Sequence, residues 1–143
     1  GASRDILAIE DAVDLRYFKR GDDLSLGGMA VHAFPTLHDA AESFGFRFDC
    51  GADSVGFMTD TGIVTDEARA ALLGCRVLAI EANYDSAMLE SGPYPRYLKD
   101  RVASDRGHLS NAQSAELLAQ LLDVRTECVV GMHVSQNNNT YRL

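Results

Sequence analysis

His38, Asp60, Glu81 and His133 share one kind of address. Each stands at the end of a predicted strand or just after it, behind the apolar runs Met29–Phe34, Ser54–Thr59, Val77–Ile80 and Cys128–Met132. In layered α/β sheets, strand ends gather along one edge, and sites are built there. Imidazole and carboxylate groups are ordinary ligands for zinc, manganese or iron, and a carboxylate can bridge two ions. Such ions activate water and clamp the attacking and leaving oxygens of a hydrolysis. Taken singly, these residues have plainer readings. Asp60 in Thr59-Asp60-Thr61-Gly62 suits a turn or a helix cap. His38 suits a polar loop, His133 a hydrogen-bonded strand edge, and Glu81 the charge at a helix N-terminus. Ligand-type residues placed one after another behind apolar strands point instead to a metal site.

The elements that must position them follow from periodicity and punctuation. Val13–Lys19 reads as a short strand, followed by a turn at Gly21-Asp22-Asp23. Leu24–Leu26 and Met29–Phe34 form a hairpin about Gly27-Gly28, and Gly45–Cys50 and Ser54–Thr59 a second about Gly51-Ala52-Asp53. The period then changes. Thr65–Leu73 is a helix capped by Thr65 and stopped by Gly74, with Ala68, Ala71 and Leu72 on one face. Val77–Ile80 is a buried-type strand, Ser86–Glu90 a helical turn broken by Gly92-Pro93-Tyr94-Pro95, and Arg96–Ala103 a helix. Ser110–Leu122 is the strongest helix, with Ser110 and Gln113 as a capping box and Ala115, Leu118 and Leu122 on its stripe. Cys128–Met132 is a buried strand, and Val134–Leu143 a polar loop. Hairpins feeding a sheet that helices cover make an α/β layered fold.

Composition narrows the functions. A length of 143 residues suits one domain, and no apolar run approaches the roughly 18–20 residues of a membrane span. The net charge of −8 argues against a surface that grips nucleic acid by broad phosphate neutralisation. It leaves room for a phosphate held by metal ions, whose charge dominates its surroundings. Cys50, Cys75 and Cys128 are far apart and form no CxxC pair; each reads as a reduced, buried thiol, which favours a cytoplasmic setting. Arg96, Lys99, Arg101 and Arg106 gather in one stretch, read either as solvated helix charges or as contacts to a phosphodiester backbone.

Several segments together resemble one family. Leu37-His38-Asp39-Ala40-Ala41-Glu42-Ser43-Phe44-Gly45-Phe46 is similar to the third metal motif of the metallo-β-lactamase superfamily, in its WalJ/YycJ-like branch. Thr59-Asp60-Thr61-Gly62, Glu81-Ala82-Asn83-Tyr84-Asp85, Asp105-Arg106-Gly107-His108-Leu109-Ser110-Asn111 and His133-Val134-Ser135-Gln136-Asn137-Asn138-Asn139-Thr140 continue the pattern. Their placing also resembles ribonuclease Z and the PhnP phosphodiesterases. The resemblance implies half of an αββα sandwich, with the chain as a single partial domain over residues 1–143. It implies two divalent ions, zinc or manganese, with His38 on the first, Asp60 bridging and His133 on the second. It implies His108 as general acid and Glu81 as the residue that orients it. His108 packing ahead of the capped helix is the plainer alternative.

The signature His-x-His-x-Asp-His of that superfamily is absent, and His32 reads as a strand-face residue. Three ligands are too few for two ions. The expectation is therefore a C-terminal half that is inactive alone, with an apolar face and a strand edge left for the N-terminal half or another copy. The full-length protein is expected to be a phosphodiesterase or exonuclease on DNA or RNA. The competing reading is a non-catalytic binding or assembly module.

Overall fold

The structure, a computed structural model, describes residues 17–141. The strand expected at Val13–Lys19 falls mostly outside the described residues, and its described end, Tyr17–Lys19, is not strand. Six strands form one sheet in chain order: β1 Asp23–Leu26, β2 Met29–Pro35, β3 Phe44–Cys50, β4 Asp53–Met58, β5 Val77–Glu81 and β6 Cys128–Met132. The first four pair antiparallel, and β4, β5 and β6 run parallel. The β1–β2 turn works because Gly27 and Gly28 both take positive φ, 57° and 88°, as a two-residue hairpin loop of this hand requires.

Among the described residues four helices lie between β4 and β6: α1 Asp66–Leu72, α2 Ser86–Ser91, α3 Arg96–Val102 and α4 Asn111–Leu121. Their starts are written locally. Thr65 accepts from the Ala68 N–H, Asp85 from the Met88 N–H, and Ser110 and Gln113 close a capping box. One sheet face, α1, α4 and Leu109 bury a cluster that includes Phe34, Met58, Leu72, Leu78, Ile80, Leu117 and Leu121.

The α4 stripe differs from the expected one. Ser114, Leu117 and Leu121 are buried, whereas Ala115 is exposed and Leu122 is 52% exposed. The physical reason is Ser114. Its hydroxyl bonds the Glu81 carbonyl and the Ser110 carbonyl, so a polar residue is buried on the side that meets the end of β5.

The β6 strand also departs from expectation. It is an edge strand with Val129 and Val130 about two-fifths exposed, not a buried one. Cys128 is exposed with it, and Cys50 is exposed at the end of β3, so only Cys75 is the buried thiol expected of all three. On the sheet face away from the core cluster, Phe46, Phe48, Val55, Phe57 and Val77 pair in register and stay half-buried. That face and the β6 edge agree with the expected half-sandwich. No helix among the described residues is long and apolar enough to cross a membrane.

Topology sets the site. Parallel β4, β5 and β6 end at one edge, with Met58 level with Ile80 and Ile80 level with Gly131. Asp60, Glu81 and His133 therefore emerge side by side. β2 points the same way as β4, because both are antiparallel to β3, so its continuation brings His38 to the same rim.

Candidate metal site

Glu81 is the post around which the site is built. Its side chain is 0% exposed at the end of β5. Oε1 lies 2.7 Å from Nδ1 of His108 and 2.8 Å from Nδ1 of His133. Oε2 accepts the N–H groups of Thr61, at 3.1 Å, and Leu109, at 3.5 Å. A carboxylate buried this deeply stays only if its oxygens are satisfied, and here they are. Both imidazoles donate from Nδ1, which leaves each Nε2 as the free acceptor. A histidine held this way by a carboxylate is the usual support of a metal ligand. The hydrogen bond to Glu81, reinforced by that carboxylate's charge, raises the His108 pKa above the ordinary histidine value, against the opposing effect of burial.

His38 is oriented by a different partner. Its Nδ1 lies 3.0 Å from the Gly107 carbonyl, so its lone pair sits on Nε2. That nitrogen faces Asp39 Oδ1 at 3.2 Å and Asp60 Oδ1 at 3.8 Å. Three acceptors turned on one another repel unless a cation lies among them, whether a proton on His38 or a metal ion. Asp60 Oδ1 also stands 3.4 Å from His133 Nδ1. Asp60, Glu81, His108 and His133 bring ligand atoms within 4.8 Å of one another, and His38 borders this group. With its four hydrogen bonds already made, Glu81 serves the cluster as a support and not as an open ligand. The donor set left over, imidazole nitrogen and aspartate oxygen, fits a divalent metal ion. His38, Asp60 and His133 lie on one rim, as the sequence predicts.

Backbone strain falls on two of these three residues. Among the described residues, Asp60 and His133 alone are non-glycine positions with positive φ, 56° and 51°. The left-handed region costs an ordinary residue roughly 1–2 kcal/mol, and strain of this kind gathers at functional sites. The surroundings hold it in place. Asn83 Nδ2 bonds the His133 carbonyl at 2.7 Å, and Leu37 and Thr61-Gly62 are strapped together by Leu37 N–H to Thr61 Oγ1 and Gly62 N–H to the Leu37 carbonyl.

Two glycines do what sequence reading did not anticipate. A Cβ on Gly62 would lie 2.2 Å from the Ser104 carbonyl oxygen, and one on Gly107 only 2.1 Å from the Val102 carbonyl oxygen. Because the clash at Gly107 is with backbone, Gly107→Ala is expected to displace the carbonyl that orients His38. The expected outcome is a loss of roughly 1–3 kcal/mol of stability together with weaker metal binding, read by chemical denaturation and by calorimetric metal titration.

The cluster opens into a cleft of about 380 Å³ lined by His38, Asp39, Tyr94, Arg101, His108 and His133, among others. His32 takes no part; it pairs with Asp23 across the β1–β2 ladder at 2.7 Å, as a strand-face residue does.

The family model described as the beta-lactamase superfamily domain matches residues 3–134. The chain is 33% identical over 126 residues to exodeoxyribonuclease YycJ of Bacillus anthracis, covering 88% of this chain and 48% of that protein. It is 35% identical over 133 residues to exodeoxyribonuclease WalJ of Streptococcus pneumoniae serotype 2, covering 93% of this chain and 49% of that protein. The chain thus spans about half the length of these curated relatives. Its fold is similar to that of YhfI, a metallo-β-lactamase fold protein of Bacillus subtilis, with a TM-score of 0.65, 14% identity, and coverage of 92% of this chain and 49% of that one. With motifs, rim geometry and fold in agreement, this chain belongs to the β-lactamase superfamily, in its metallo-β-lactamase fold.

Proposed function

We propose that this chain contributes His38, Asp60 and His133 to the dinuclear metal site of a hydrolase, and that the whole protein is an exonuclease on DNA. The observation that carries the reading is the convergence of His38 Nε2, Asp39 and Asp60 oxygens and the His133 ring, with each imidazole fixed through Nδ1. The DNA substrate is carried over from the names of the relatives. Zinc or manganese, once bound, would supply Lewis acidity that draws charge from a phosphoryl oxygen.

The chain's own groups do the rest. Asp60 would hold metal together with His38 and His133. His108, protonated on both ring nitrogens with Nδ1–H held by Glu81, turns its Nε2–H toward the departing oxygen as general acid. Glu81 positions His108 and His133 together. The missing ligands and the cover for Phe46, Phe48 and Phe57 come from an N-terminal half or from another copy, in keeping with relatives about twice as long. The two exposed free thiols, Cys50 and Cys128, suit a reducing cytoplasm.

The test is digestion of end-labelled DNA by the full-length protein with zinc or manganese. Stepwise, metal-dependent release of nucleotides is expected, and the 143-residue chain alone is expected to be inert. No cleavage of any phosphodiester by the full-length protein would overturn the reading, and robust turnover by the chain alone would overturn the argument from missing ligands. A second reading, a non-catalytic assembly module, draws on the open β6 edge with Val129 and Val130 exposed. It predicts partner binding without metal-dependent cleavage.

A further inference from the structure

Four basic residues lie between positions 96 and 106, and the structure separates them. Arg96 is held by Glu90 and Asp100, each at 2.9 Å, and Lys99 by the Glu90 carbonyl. Arg106 lines a different depression, with Arg20 and Glu42. Arg101 alone lines the cleft that contains His38, His108 and His133. Its Nε lies 2.6 Å from Asp39 Oδ2, and the other oxygen of that carboxylate stands 3.2 Å from His38 Nε2. The guanidinium is therefore one carboxylate away from a metal-site imidazole, with 64% of its side chain exposed to an incoming ligand. A planar fork of donors at that place matches a phosphate better than a lysine would.

We propose that Arg101 grips a phosphate next to the one being cleaved, and that Asp39 is a positioning residue that aims the guanidinium into the cleft. The inference rests on the phosphodiesterase reading and deepens it. It gives the cleft a preference for polyanionic strands over substrates with a single phosphate. It also reconciles a chain of net charge −8 with a nucleic-acid substrate, since one directed cation replaces a basic surface.

The test compares the full-length, metal-loaded protein with its Arg101→Ala, Arg101→Lys and Arg96→Ala variants. Each is assayed on a single-stranded oligothymidylate and on bis(p-nitrophenyl) phosphate, which carries one phosphate. For Arg101→Ala the ratio of kcat/KM on the oligonucleotide to that on the small diester is expected to fall about tenfold or more, through KM, as the loss of one charge-assisted contact implies. The slope of log(kcat/KM) against log salt on the oligonucleotide should flatten by about 0.7, one phosphate contact on a single strand. Arg101→Lys should recover part of both, and Arg96→Ala neither lose nor gain. An equal loss on both substrates with an unchanged salt slope would assign Arg101 a purely structural role and overturn the proposal. If the parent protein cleaves both substrates and Arg101→Ala matches it, only this proposal falls. If the parent cleaves neither, the phosphodiesterase reading falls first and takes this one with it.

Discussion

Glu81→Ala is expected to cost about 3–5 kcal/mol of folding stability and to weaken metal binding by roughly 10–100-fold. The size follows from how much one carboxylate does. Two imidazoles donate to its Oε1 and two backbone N–H groups to its Oε2, all around a side chain with no solvent exposure. Alanine leaves those donors facing a cavity too enclosed to hydrate them freely, and unsatisfied buried donors are expensive. It also frees the His108 and His133 rings to turn. Glu81→Gln separates the two effects. The amide oxygen can still serve Thr61 and Leu109, so most of the stability should remain. Its NH2 then confronts two Nδ1–H donors, and each ring must flip or move its proton to Nε2, either of which removes a correctly aimed Nε2 lone pair. Denaturant unfolding of the metal-free protein and calorimetric zinc titration read the two quantities. A Glu81→Gln variant binding zinc within threefold of the parent would show that the carboxylate does not orient the ligands.

Asp60→Asn should do the reverse, leaving stability within about 1 kcal/mol of the parent while reducing metal affinity by roughly 100-fold. Asp60 is a poor structural residue where it stands. Its φ of 56° is strained, its carboxylate accepts the Thr59 hydroxyl at 3.0 Å besides the histidine approaches among the described residues, and it faces the His38 lone pair. Asparagine tolerates the left-handed region and carries no charge, so relief of strain and repulsion offsets what is lost. Asp60→Gly should behave alike in stability. A drop of several kcal/mol in the metal-free Asn variant would mean that Asp60 holds the fold, and that its strain has another cause.

Most of the fold was legible because its determinants are local. Gly27-Gly28, Thr65 and the Ser110–Gln113 box each act within a few residues, and the elements they bound appear where expected. What failed depended on neighbours distant in sequence. Apolar type pointed to Leu118 and Leu122 on α4, but Ser114 reaches the Glu81 carbonyl 33 positions away and turns the helix by one residue. The β6 run is as apolar as β5, yet burial depends on whether a strand lies beyond it, which no residue of β6 states.

The rim showed a similar division. Strand-end placement marked His38, Asp60, Glu81 and His133, and resemblance paired Glu81 with His108. That the same Glu81 oxygen also holds His133, 52 positions on, follows only from parallel strands ending level. Gly62 and Gly107 were visible in their motifs, but their close contacts with residues 102–105 were not. Arg101 stood out only as one of four gathered basic residues, and Asp39 only as a member of the His38 segment; nothing local paired the two.

The central proposal is that His38 Nε2, Asp60 and His133 together receive the two metal ions. Anomalous diffraction above and below the zinc edge, from crystals of the full-length protein grown with zinc, tests it most directly. Zinc peaks about 2.0–2.2 Å from His38 Nε2, an Asp60 oxygen and His133 Nε2 are predicted, with Glu81 still bonded to the rings and not to the ion. A peak ligated by Glu81 in their place, or zinc found only away from this rim, would contradict the account.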